Sequence, residues 1–246
     1  MKSGINVERE EMERYYFVLL GYASFKQVYQ KIEELLKFYR IESQGKLSSR
    51  EIIYDVPSNL LTDSGVVLSK KTEGGNSFFN VLKISLLPGN LKRPNQNHVV
   101  KQIRGNEQPA DFSLDIASTI EKLFSINFTV DLDSIVKKVI PIIEINVNSE
   151  NYKIIGGSGL RGYLSYEKIT YKDTKTRKKV FGEGVVLRLP NSEEYEQENK
   201  NILSLIEKNI QELGMYNVSK FELAQKLLYP KEEGEEGGVE TKVDYE

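Results

Sequence analysis

The chain predicts an α+β domain built on a closed antiparallel β-barrel of about eight strands with flanking helices. Strand-like segments recur through both halves of its 246 residues, separated mostly by short turns rich in Gly, Asn, Asp and Pro. A few intervening segments repeat apolar residues at helical spacing. An antiparallel meander of this size removes its exposed edges by closing on itself. Nothing between the two halves has the composition of a linker, so residues 1–230 are expected to form one domain.

A strand is expected over 11–20. Ser24 then caps a helix in which Val28, Ile32, Leu35, Leu36 and Tyr39 recur on one face. Strands over 50–56, 66–72 and 78–87 follow. They are separated by Pro57-Ser58-Asn59, by Asp63-Ser64-Gly65 and by the hairpin signal Glu73-Gly74-Gly75-Asn76. After a loop over 88–97 come a short strand over 99–104 and a helix carrying Ile116, Ile120 and Leu123. Strands over 138–147 and 152–155 flank Asn148-Ser149-Glu150-Asn151, and strands over 162–171 and 180–189 flank the turn 172–176. Past Pro190, a long amphipathic helix places Ile202, Leu205, Ile206, Ile210 and Leu213 on its buried stripe. A short helix over 220–228 ends at Pro230. The Glu/Gly-rich tail 231–246 cannot bury enough to order itself.

Composition narrows the chemistry. With no cysteine, disulfide scaffolds, thiol nucleophiles and Cys-based zinc sites are excluded. The single histidine, His98, reads as a loop residue, so a metal would need oxygen ligands, which favours Mg²⁺, Mn²⁺ or Ca²⁺. The net charge of −2 combines a tail of −5, from seven acidic and two basic residues, with a body of +3. That body is too weakly basic for general nucleic-acid binding and suits a small anionic ligand. No segment reads as a signal peptide or a membrane span, and the expected location is the cytoplasm.

Charges on the strands carry the functional signal. Alternation puts Glu11, Glu13 and Tyr15 on one face of the first strand. It likewise groups Val67, Ser69 and Lys71, then Phe79, Val81 and Lys83, then Glu183, Val185 and Leu187. A lone charge on an apolar-rich strand either faces solvent or lines a wet interior. Spread over four strands, these charges fit a polar interior built for a polyanion and a divalent metal.

Five segments, in order, resemble the CYTH or triphosphate tunnel metalloenzyme superfamily. Glu11-Met12-Glu13-Arg14-Tyr15 is similar to its opening E-x-E-x-K strand, and Glu8-Arg9-Glu10 offers a second register. Ile53-Tyr54-Asp55-Val56-Pro57 and the run from Leu60 to Lys71 resemble its Y-x-D-T-P and L-R-x-R stretch. Val81-Leu82-Lys83 matches T-L-K, Glu183-Gly184-Val185 part of a late E-x-E, and Ser219-Lys220-Phe221-Glu222 the closing S-K-Y/F-E. Tyr15, Ser69, Lys71 and Val185 depart from the family's lysine, two arginines and second glutamate.

The resemblance implies a barrel that forms a tunnel binding a triphosphate, polyphosphate or nucleotide, an RNA 5′ end among them. It implies Glu11, Glu13 and Glu183 as ligands of Mg²⁺ or Mn²⁺, with Glu11 and Glu13 catalytic. It implies Lys71, Lys83, Arg104 and Lys220 as phosphate-binding cations. Glu11, Glu13, Lys83 and Glu183 are expected to point into one tunnel. The activity implied is metal-dependent phosphohydrolysis with a partly degenerate site; the alternative is a catalytically inactive protein of the same fold that binds or scaffolds a phosphate ligand.

Overall fold

In the computed structural model, residues 12–20, 24–83, 98–103, 106–124, 131–215 and 219–230 are described. Among these residues nine antiparallel strands make one sheet: β1 (Met12–Leu19), β2 (Arg40–Asp55), β3 (Val66–Glu73), β4 (Asn76–Lys83), β5 (His98–Ile103), β6 (Ile140–Ile155), β7 (Arg161–Asp173), β8 (Lys179–Pro190) and β9 (Leu213–Met215). Their order is β5-β4-β3-β2-β6-β7-β8-β1-β9. The expected closed barrel is therefore seen as an open order, with β5 and β9 at its ends among the described residues.

The sheet is curled. Four strand spacings separate β3 from β8, about 19 Å in a flat sheet. Glu73 of β3 nevertheless acts electrostatically on Arg188 of β8, so the curl brings the two strands towards each other.

Side chains alternate between a concave and a convex face. The concave face buries Tyr16, Val18, Ile53, Val67, Ile145 and Tyr171 against Phe221, Leu223, Ala224 and Leu228 of α6 (Lys220–Leu228). On the convex face, α1 (Phe25–Leu35) and α5 (Glu196–Asn209) bury Val28, Ile32, Ile202 and Ile206 against Phe17, Leu164, Val185 and Leu187. Further along that face, α2 (Leu60–Asp63), α3 (Ser113–Phe124) and α4 (Leu132–Val136) pack Leu61, Ile116, Ile120, Leu132 and Val136 on Leu68, Phe79 and Val81.

Local chemistry sets the helix starts. Ser24 and Gln27 form a reciprocal capping box on α1, and Ser219 and Glu222 form another on α6. At the corner between β2 and α2, buried Asp55 accepts hydrogen bonds from the amides of Val56, Leu61 and Thr62 and from the Thr62 hydroxyl.

Several boundaries differ from the sequence expectation. β6 runs unbroken through Asn148-Ser149-Glu150-Asn151, because those residues pair with the stretch 45–48 of an extended β2. Helix α5 stops at Asn209, so Ile210 and Leu213 are buried beyond it, and Leu205 is 39% exposed rather than on the buried stripe. The tail 231–246 lies outside the described residues.

Candidate functional site

Strand register assembles the site row by row across the concave face. One row runs Arg14, Arg188, Tyr163, Lys153 and Glu42 over β1, β8, β7, β6 and β2. The next runs Tyr16, Val186, Ser165 and Asn151, and the third Val18, Gly184, Glu167, Ser149 and Leu47. Deeper rows are mostly apolar on β6, β7 and β8, with Val147, Ile169, Ile145 and Tyr171 in the core against α6.

Glu167 is the hub. It is 3% exposed, with Lys220 Nζ 2.6 Å from Oε2 and Arg14 Nη2 3.7 Å from Oε1. Burial pushes its carboxyl up, but Lys220, Arg14 and Arg188 outweigh this and hold it below the usual carboxylate range. Lys220 stands at the first position of α6, where the Ser219 cap fixes the backbone. Burial, only partly offset by Glu167, brings its ammonium down to about 8. Arg188 is lowered by burial and then by Arg14, the residue directly opposite it on β1.

Like charges facing each other on adjacent strands are destabilising. Here Arg14, Arg188 and Lys220 surround Glu167 in one patch, while Glu73 of β3 acts on Arg188 and Glu51 of β2 on Lys220. Polar neighbours extend it: Ser165 Oγ donates to Asn151 Oδ1 (2.7 Å), and Asn151 Nδ2 donates to Ser149 Oγ (3.1 Å). On β2 and β3, Ser69 Oγ donates to Glu51 Oε1 (2.6 Å), and Lys71 pairs with Glu73.

The structure divides the sequence-derived residues between the two faces. Lys71 and Lys220 lie on the concave face, Lys71 opposite Glu51 and Phe78. Glu13 alternates with concave Arg14 and shares its face with Tyr15 and Phe17, which pack on the convex side; Tyr15 donates its hydroxyl proton to Glu13. Lys83 shares its face with convex Phe79 and Val81, one residue past concave-packed Leu82. Glu183 shares its face with convex Val185 and Leu187, is 43% exposed in its side chain, and lies 3.6 Å from Lys168. The expected common tunnel for Glu13, Lys83 and Glu183 is thus corrected: each is one residue out of phase with the concave face, and a one-residue step on a strand reverses the face. Glu11 and Arg104 lie outside the described residues. Sequence reading missed Arg14, Glu167 and Arg188; the signal was that each is a charge sharing its strand face with buried apolar residues, Tyr16 and Val18 on β1, Ile169 on β7 and Val186 on β8.

The donors of a divalent cation site are not assembled here. Among the described residues, no three carboxylate or histidine side chains are grouped closely enough to share an ion. On the late strand the concave positions either side of Glu183 are Gly182 and Gly184, not glutamates, and a Cβ on Gly184 would lie 2.7 Å from the Tyr16 hydroxyl. Glu167 and Glu73 are each engaged by cations, and Glu51 by Ser69. The described residues therefore do not fit a Mg²⁺ or Mn²⁺ site.

No protein-family model matches the chain, and no curated protein matches it in sequence. Among solved structures it is similar to HpAC1 from Hippeastrum, an adenylyl cyclase candidate described as having a dominant triphosphatase activity. That likeness has a TM-score of 0.51 at 11% identity, covering 88% of this chain and 95% of that one. A protein of Pyrococcus horikoshii matches with a TM-score of 0.46 at 11% identity over 87% of this chain and 99% of its own. The chain shares its fold with HpAC1. The likeness is one of fold.

Proposed function

We propose that this protein binds a triphosphate, polyphosphate or nucleotide on the concave face of its sheet, as a phosphate-ligand-binding member of the CYTH fold. The observation that carries the reading is Arg14 directly opposite Arg188, with half-buried Lys220 beside them and Glu167 as the balancing carboxylate. An arrangement that leaves cations facing each other in a half-buried cleft is relieved by a polyanion. Arginines offer paired donors to phosphate oxygens, and Lys220 a point charge. Lys71 extends the surface along β3. The similarity of fold to HpAC1, described with a triphosphatase activity, supports the same ligand class. In this reading the sheet closes around its ligand as a tunnel.

The finer expectation, a Mg²⁺- or Mn²⁺-dependent phosphohydrolase, requires a carboxylate cluster that the described residues lack. The binding reading is therefore preferred. Calorimetry of the full chain with inorganic triphosphate, free of divalent metal, tests it. Binding that weakens with salt and drops at least about tenfold in Arg188→Gln is expected. Equal affinity in wild type and Arg188→Gln would overturn the site. Phosphate release that needs Mg²⁺ or Mn²⁺ and stops in Glu11→Gln/Glu13→Gln would establish the hydrolase instead.

A further inference from the structure

The convex side of the sheet builds a second charged cavity. Arg50 and Ile52 of β2 alternate with concave Glu51 and Ile53, so they face outward with Glu144 of β6 and Lys172 of β7. Register places Ile52, Glu144 and Lys172 in one row across the three strands. Together with Pro141, Thr174 and Arg177 they line a cavity of about 370 Å³, near the lower end of small-molecule sites.

Its charges do not balance. Arg50 Nε donates to Glu144 Oε1 at 3.0 Å, and Lys172 Nζ lies 3.8 Å from Oε2. Asn146 Nδ2 also donates to Glu144 Oε1 at 3.0 Å. One carboxylate thus stands among Arg50, Lys172 and Arg177, an excess of about two positive charges in the lining.

The β7–β8 turn holds this lining in place. Asp173, 4% exposed, accepts the amides of Lys175 and Thr176 on Oδ1, each at 2.7 Å, and the Tyr229 hydroxyl on Oδ2. Thr174 donates its amide to the Ile142 carbonyl at 3.0 Å and its hydroxyl to that of Pro141 at 2.5 Å. Arg177 has φ 64° and donates its amide to the Asp173 carbonyl. Non-glycine residues hold such a backbone conformation only where the surroundings fix it, and such positions gather at functional sites.

We propose that this cavity binds a phosphate monoester, its dianionic phosphoryl group among Arg50, Lys172 and Arg177 and its organic substituent against Ile52 and Pro141. The excess charge matches a dianion, and guanidinium groups suit phosphoryl oxygens. The volume leaves room beyond a bare phosphoryl group, and two of its walls are apolar. The site is on the opposite side of the sheet from Arg14 and Arg188 and does not depend on the concave reading.

Amide chemical-shift titration of the full chain tests it, with phenyl phosphate, inorganic phosphate and phenol as probes. Saturable shifts at Thr174, Lys175, Thr176 and Arg177 are expected, strongest for phenyl phosphate, weaker for inorganic phosphate and absent for phenol. Arg50→Gln/Arg177→Asn removes two cations while asparagine still accepts the left-handed backbone; phenyl phosphate should bind at least about tenfold more weakly to it. Lys172→Gln should weaken binding as well, and Arg188→Gln should leave these shifts intact. No saturable shift at millimolar probe, or unchanged affinity in the double variant, overturns the site. Inorganic phosphate or phenol binding as tightly as phenyl phosphate overturns the assignment to a monoester.

Discussion

The two faces of one sheet are built on opposite rules. On the convex face nearly every strand position that meets a helix is apolar, as with Phe17, Leu164, Val185 and Leu187. On the concave face polar and apolar residues share rows, Ser165 with Tyr16 and Val186 and Glu167 with Val18, and Arg14 and Arg188 stand in the next row out. Placing helices outside the curl moves much of the hydrophobic burial away from the concave side. That side is then free to keep charged groups whose desolvation would otherwise be hard to offset. Among the described helices α6 alone packs into it, and that helix carries Lys220 in.

The largest effect that would separate the faces concerns Glu167. Glu167→Gln leaves Arg14, Arg188 and Lys220 without their carboxylate. Removing one partner of a buried ionic group destabilises by about 3–5 kcal/mol. Denaturant unfolding should show this loss, and saturating inorganic triphosphate should restore part of it, because a ligand that binds only the folded state adds stability by mass action. A variant as stable as wild type would mean the concave cations are solvated well enough to need no counterion.

Ile32→Ala is the convex counterpart. Ile32 is fully buried between α1 and the sheet. Its truncation should cost about 2–5 kcal/mol, while the folded fraction binds triphosphate with wild-type affinity in calorimetry. A large change in affinity would join two faces that the packing keeps separate.

Much of the fold was legible in the sequence because it rests on local signals. Ser24 and Ser219 each begin a helix that forms, and Gly74-Gly75 makes the β3–β4 hairpin with both glycines at positive φ. Long polar strands were less legible. Lys46 to Ser48 has no apolar alternation and is a strand because of its partners in β6. The site depended on a finer quantity, the phase of each strand. Glu13 and Arg14 are adjacent in sequence, yet one faces Tyr15 and the helices and the other Glu167. Only the register against β8 decides between them.

Lys220 gives an intermediate effect with a definite sign. Its ammonium is brought from an ordinary 10.5 to about 8, first by burial. In the free protein the charged form is therefore disfavoured by folding. That cost is fully present below about 8 and is relieved as pH rises from there towards 10.5. Anion binding has the opposite dependence, because it uses the protonated form. Triphosphate affinity should fall as pH rises through about 8. Lys220→Arg, which stays charged, should flatten that profile. A flat profile in the wild type would remove Lys220 from the ligand's reach.

The smallest expected effect is the most direct check on strand phase. Lys83 and Glu183 each sit within a segment that resembles a ligand-binding motif, so sequence similarity alone would give them large roles. In the structure Lys83 follows concave-packed Leu82 and alternates with it, and Glu183 faces Lys168 beside convex Val185. An ion pair of this exposed kind contributes no more than about 1 kcal/mol. A charge on the far side of the sheet acts on a concave ligand only through screened, long-range attraction. Lys83→Ala and Glu183→Gln should each change triphosphate affinity by no more than about twofold at physiological salt, against the tenfold loss expected for Arg188→Gln. A loss in Lys83→Ala comparable to that of Arg188→Gln would show that the ligand is held on the convex face, and that the cluster of Arg14, Arg188 and Glu167 is a structural ion network instead of a binding surface.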